Sequence, residues 1–501
     1  MRLFLFPNGR SGKDGRVFYK RLNIFSKSAF GKNAIVYAVG NIGLRAASFL
    51  LIPIYTHSLS MADYGVLATL LVIIQILSIV MDAGMRKAQL RFSAECEEQN
   101  RSAELLGTSI LINLTSGAMV TVISVVFLLP LFRRILYTDQ VVEYVVLSCC
   151  AAAAQSLYLY IVAYYRTRKE PFRFITANVC AAGLLFVVSL VLLTVFHQGI
   201  KAALIAQVIT YGGLWFVVAA GVLRQTGIGV SAKMAATLLR YGLPLIFVMS
   251  GHLLTDAAAL FLLSYFKDLE EVAVYSLGYK LAQIAGMVLI LPFQLEYESF
   301  VYANVHASNI RTTISRLLTN LMFAFVAVAF VISFVSRDVL SLIAPPAYSR
   351  AYLVVLLSVP FIAFDGVSYI GESLLHIRNK THVTAASHTT FSLLGIAINY
   401  VLIPYWGMYG VVAAFAVNLA GTAVCLMVFG MKSFPIPLEW RRLGASAFLM
   451  VSLLAMTFFL GRTNSYMYYG VPSLTVGGLV AALFFAHRRG WQRLTLMERA
   501  E

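Results

Sequence analysis

The stretch YAVGNIGLRAASFLLIPIY, residues 37–55, has the length and apolar character of a bilayer-spanning helix but for one residue, Arg45. An arginine at the bilayer centre costs about 2.5–3.5 kcal/mol on insertion scales. Its presence therefore demands a buried partner or a water-filled cavity. The rest of the chain supports the membrane reading. Of its 501 residues 60% are hydrophobic and only 12% are charged, whereas soluble domains are about half apolar and a quarter charged.

About 20 mostly apolar residues cross a bilayer core, and by that measure fourteen spans are expected. They lie near 33–55, 64–85, 105–132, 141–165, 172–196, 200–223, 241–266, 272–294, 313–336, 349–374, 382–403, 407–430, 440–460 and 467–487. Residues 1–31 are basic and lack the apolar core and cleavage site of a signal peptide, so they read as a cytoplasmic tail. Thirty of the 39 lysines and arginines fall on that tail's side of the predicted spans and seven on the other, leaving Arg45 and Lys280 inside helices. The positive-inside rule then places both termini in the cytoplasm. The net charge of +17 is accounted for by topology and attraction to anionic headgroups, with no role for nucleic acid. The five cysteines form no CxxC pair and read as apolar fillers, with no metal site or cofactor expected.

The chain also repeats itself. DYGVLATLLVIIQILSIV from Asp63 follows the pattern of VAVYSLGYKLAQIAGMVL from Val272, with Tyr64 on Tyr275. RTRKEPFRF falls on HIRNKTHVT, with Lys169 on Lys380, and HQGIKAALIAQ on YWGMYGVVAAF, with Gly199 on Gly407. Offsets of 211, 211 and 208 join six spans to six. An even number makes the repeats parallel, related by an axis along the membrane normal. The expected organisation is a tail (1–31), an N-lobe (32–225), a C-lobe (226–432), two further spans (433–490) and a second tail (491–501).

At the 211 offset Arg45 falls on Asp256 and Asn41 on His252. Asn41, Arg45 and Ser48 share a helical face, as do His252 and Asp256. Two roles for Arg45 stand open: an anion site in a hydrated cleft, or a structural salt bridge to Asp256. Lys280 and Asp365 are expected to face the cleft, with Asp256, His252 and Asp365 as candidates for ion coupling. Gln75, Ser78, Ser392 and Asn399 read as interhelical hydrogen bonds. Glu296 and Glu298 read as helix-end charges or as gate partners of Arg86, Lys87 and Arg91 in the loop after the second span.

LIPIYTHSLSMADYGVLA, residues 51–68, resembles the signature of the polysaccharide transport (Wzx-type) flippases, with Leu59, Ser60, Asp63, Tyr64 and Gly65 matching its Leu-Ser-x-x-(Asp/Glu)-Tyr-Gly turn. The resemblance implies an all-α MATE-like (MOP) fold of two pseudo-twofold six-helix lobes plus two helices. It implies translocation of a polyprenyl-diphosphate-linked oligosaccharide for O-antigen, capsule or exopolysaccharide across the inner membrane, by alternating access around a cationic cavity. Expected substrate-binding residues are Arg45, Asn41 and Lys280, and expected partners are that glycan lipid, membrane lipids and polysaccharide polymerase or other assembly proteins. A multidrug or organic-cation antiporter is the alternative within the architecture, disfavoured by the deep Arg45 and Lys280. A membrane polymerase or ligase needs a sizeable outer loop, and the longest here spans only residues 337–348.

Overall fold

The computed structural model describes residues 49–136, 140–168, 170–305, 307–378 and 380–460, and these are all-helical. The helices are α1 (its described part 49–58), α2 (Met61–Asp82), α3 (Ser102–Ile123, running on through a π-turn), α4 (Val141–Thr167), α5 (Pro171–Thr194) and α6 (Ile200–Thr226). There follow α7 (Ala232–Phe266), α8 (Leu269–Ala285, continued by the π-turn Gly286–Ile290 and by Leu291–Ala303), α9 (Ile310–Ile343), α10 (Ala351–His376), α11 (Thr381–Trp406), α12 (Met408–Ser433) and α13 (Trp440–Leu460). Eleven helical stretches among the described residues are long and apolar enough to cross a membrane. The tails, the predicted fourteenth span, Asn41 and Arg45 lie outside the described residues.

Burial in this chain is arranged for lipid. α2 is enclosed, with Tyr64, Leu67, Leu70 and Met81 fully buried, whereas α5 leaves Val179, Val187 and Val191 exposed. In water such a face is a liability; in hydrocarbon it is the expected surface.

The repeat is visible in the caps. Ser60 starts α2 by accepting the Asp63 N–H at 3.1 Å, and Asp268 starts α8 by accepting the Glu271 N–H at 2.7 Å, each cap satisfying an orphan donor for about 1 kcal/mol. Gly199 (φ 57°, ψ −135°) and Gly407 (φ 54°, ψ −132°) start α6 and α12 in one conformation open essentially to glycine. Both matched pairs lie 208 apart. The turns after α4 and α10 also match, Glu170 N–H donating to Tyr165 O and Lys380 N–H to Leu375 O, an offset of 210. Packing repeats as well: α4 lies against α2 and α6 as α10 lies against α8 and α12, and α2 meets α8 directly at the centre.

These offsets correct the sequence alignment in two places. At 208, Tyr64 matches Val272 rather than Tyr275, and Arg45 matches Leu253, one turn from Asp256 on the same face. At 210, Lys380 matches Glu170, not Lys169. Residues 85–98, expected as loop, form a linking helix, Met85–Glu98. Its polar composition defeats a hydropathy count, yet Met85 and Ala88 are fully buried. The expected outer loop at 337–348 is shorter than predicted, because α9 continues to Ile343 and holds Arg337 and Asp338.

At the start of α12 the Glu271 carboxylate accepts the Met408 N–H at 2.9 Å, an anion placed on a helix N-terminus. Glu271→Ala is expected to destabilise the protein by about 1–2 kcal/mol, read as a lowered unfolding midpoint in detergent, while Glu271→Gln retains an acceptor and most of the stability.

Candidate functional site

A cavity of about 600 Å³ lies where α1, α2, α7, α8, α10, α11 and α12 converge, within the range of roughly 300–1,000 Å³ typical of ligand sites. Its charged lining among the described residues is Lys280 from α8, Asp256 from α7 and Asp365 from α10. Lys280 lies eleven residues after Leu269, Asp256 ten before Phe266 and Asp365 fourteen after Ala351. At 1.5 Å per residue these are about 15–21 Å from the same end of the bundle, near the middle of a hydrocarbon core of about 30 Å.

The acidic side of the cavity is networked. Tyr279 stands beside Asp256 and Gln283, and Asp365 is near enough for its charge to act on Asp256. Lys280 makes no ion pair among the described residues; its ammonium sits 5.5 Å from the centre of the Tyr64 ring, a cation–π distance. Tyr275 and Tyr279 stack at 5.6 Å, and Phe415 meets Tyr279 edge-on at 5.2 Å. Among the described residues no three His, Cys, Asp or Glu side chains cluster as metal ligands do.

At the end where α2 and α8 begin, the cavity is capped by contacts between the two halves. A Cβ on Gly65 would stand 2.0 Å from the Leu269 carbonyl oxygen, so only glycine permits this approach. Tyr64 packs edge-on against Tyr348 at 5.8 Å, and the Thr56 hydroxyl donates to Ile343 O at 2.6 Å. At the opposite end Gly84 (φ 76°) and Gly242 meet backbone to backbone, which holds the first turns of α7 against the first half of the chain.

Of the residues picked from sequence, Lys280, Asp256 and Asp365 share the cavity. Arg86 is held by Asp82, its Nε 3.2 Å from the buried carboxylate, and Arg91 lies over Phe92. The side chains of His252, Glu296 and Glu298 lie outside the described residues. His388 pairs with Glu372. Gln75 and Asn399, read as interhelical links, line the cavity instead. Sequence reasoning missed Thr255, Tyr279, Gln294, Phe415 and Asn418; the i, i+4 spacing of Tyr275 and Tyr279 beside Lys280 was the available signal.

Residues 30–295 match the model of a family described as polysaccharide biosynthesis protein. No curated protein is significantly similar in sequence. Among solved structures, the lipid II flippase MurJ in an inward closed conformation superposes with a TM-score of 0.72 at 12% identity, covering 91% of this chain and 99% of MurJ. An inward-facing multidrug resistance MATE family transporter of the MOP superfamily gives 0.59 at 15% identity, covering 83% and 94%. A MOP superfamily transporter from Pyrococcus furiosus gives 0.59 at 15%, covering 83% and 96%. These likenesses establish the MOP fold.

Proposed function

The chain belongs to the polysaccharide biosynthesis protein family, and on that premise we propose that it is a flippase moving a polyprenyl-diphosphate-linked oligosaccharide, for O-antigen, capsule or exopolysaccharide, from the cytoplasmic to the periplasmic leaflet. The observation that carries the reading is the mid-depth cavity with Lys280 unpaired among the described residues, poised for an anion. Arg45 is the second proposed anion ligand. It precedes the cavity-lining Phe49 and Ile52 by four and seven residues, the spacing of one helical face. Arginine and lysine together suit a diphosphate, with Asn41 one turn further along that face.

In this reading the N-lobe (32–225) and C-lobe (226–432) rock about the α2–α8 contact, the end bearing Ser60 is periplasmic, and both termini are cytoplasmic. The close approach at Gly65 then seals the periplasmic side while the head group loads. Asp256, His252 and Asp365 are proposed to carry a coupling ion. Glu296 and Glu298 are proposed to meet Arg86, Lys87 and Arg91 when the cytoplasmic side closes. The polyprenyl tail stays in lipid, and a polymerase on the far side consumes the delivered unit.

Deleting the gene in its host tests this. Lipid-linked oligosaccharide is expected to accumulate facing the cytoplasm, with rescue by wild type and not by a folded Arg45→Ala protein. The carboxylate pair and aromatic wall favour one second reading, an organic-cation antiporter. In that case deletion leaves the glycan lipid unchanged and raises sensitivity to cationic drugs.

A further inference from the structure

We infer that the cavity wall built by α2, α8, α11 and α12 recognises the sugar part of the substrate through carboxamides and aromatic rings, leaving the charged groups to the diphosphate and the coupling ion. This rests on the flippase reading. Five carboxamides line the cavity, Gln75, Gln283, Gln294, Asn399 and Asn418, against three charged side chains among the described residues. A carboxamide offers donors and an acceptor together, which is what a sugar hydroxyl requires. An ammonium only donates and a carboxylate only accepts.

Asn399 is the sharpest indication. It is 2% exposed, and its Oδ1 has no hydrogen-bond partner among the described residues. A buried carbonyl oxygen left unpaired is unfavourable, and a ligand hydroxyl donating to it removes the penalty. Gln75 and Gln283 present their side chains to the cavity from α2 and α8. They are 208 residues apart, the offset set by the helix caps, so the two halves contribute matching amides on either side of the central contact. Beside them Tyr279, backed by the buried Tyr275 stacked on it, and the edge-on Phe415 supply ring surface for the C–H faces of a pyranose. Tyr279 is held between Tyr275 and Phe415 by ring packing, so that surface is preorganised. Asn418 already donates to Phe391 O at 3.2 Å, whereas an organic cation would use the rings and carboxylates and give the cavity-facing amides of Gln75 and Gln283 no partner.

The test is binding to the full chain in lipid nanodiscs. The probes are the lipid-linked oligosaccharide fraction extracted from the deletion strain, sugar-free polyprenyl diphosphate, and tetraphenylphosphonium. Wild type is expected to bind the glycan-bearing lipid at least tenfold more tightly than the sugar-free one. In Gln283→Leu and Asn399→Leu that ratio is expected to collapse towards one, with sugar-free binding retained. Gln283 faces the cavity, so its substitution leaves the packing intact even where Asn399→Leu impairs folding. Equal affinities in wild type, or an unchanged ratio in Gln283→Leu, overturns the sugar site and leaves the flippase standing. Binding of tetraphenylphosphonium with neither lipid overturns both.

Discussion

Lys280→Ala is expected to lower the rate of glycan-lipid transfer by roughly 10- to 100-fold, the range set by losing a charge-assisted hydrogen bond of about 1.5–3 kcal/mol. The ammonium sits at mid-depth and makes no ion pair among the described residues, so an arriving phosphate need not displace a carboxylate. The substitution also removes the contact with the Tyr64 ring, weakening the seal beneath Tyr348. Lys280→Arg keeps the charge and is expected to recover much of the rate, whereas Lys280→Gln is not. A purely structural lysine would give the opposite pattern, with Gln tolerated and transfer unaffected. Initial transfer rates at matched protein levels decide between them.

Gly65→Ala is expected to be strongly damaging, since its added methyl makes the tightest approach among the described glycines. In an ordinary helix the change gains up to about 1 kcal/mol of propensity. Here the new Cβ would sit 2.0 Å from the Leu269 carbonyl oxygen, and neither helix end can yield without parting α2 from α8. Overpacking of this kind costs about 1–3 kcal/mol, so the net sign is destabilising. The Ser60 end of the bundle is expected to stay ajar, with transfer lost. Gly213→Ala serves as the control: nothing lies within 4 Å of the added carbon, and a neutral or raised unfolding midpoint is expected. Equal midpoints and rates for both variants would show that the α2–α8 approach has no mechanical role.

Much of the fold was legible because lipid imposes long apolar runs, and because a repeated chain shows the same turn chemistry twice. Gly199 and Gly407 were paired from sequence and prove to share one backbone conformation. The linking helix Met85–Glu98 was not legible, since its buried Met85 and Ala88 alternate with charges that read as loop. The register of the repeat at α1–α2 was misjudged by three residues, which is less than one helical turn. Such a shift changes every individual pairing while moving each residue only about a sixth of the way round its helix. Among site residues, Lys280, Asp256 and Asp365 stood out because an ionised group in a spanning helix needs an explanation. The amides and rings of the wall carry no such flag, since each alone is an ordinary helix-packing residue. Only convergence from several helices gives them a common purpose.

The most direct measurement is transfer by the purified protein in proteoliposomes, using lipid-linked oligosaccharide extracted from the deletion strain and an impermeant reagent that modifies only outward-facing glycan. Wild-type protein is expected to expose the inner-leaflet pool, Lys280→Ala and Gly65→Ala to slow this sharply, and empty vesicles not to support it. No exposure above empty vesicles, with folded protein shown to be present, would contradict the flippase reading.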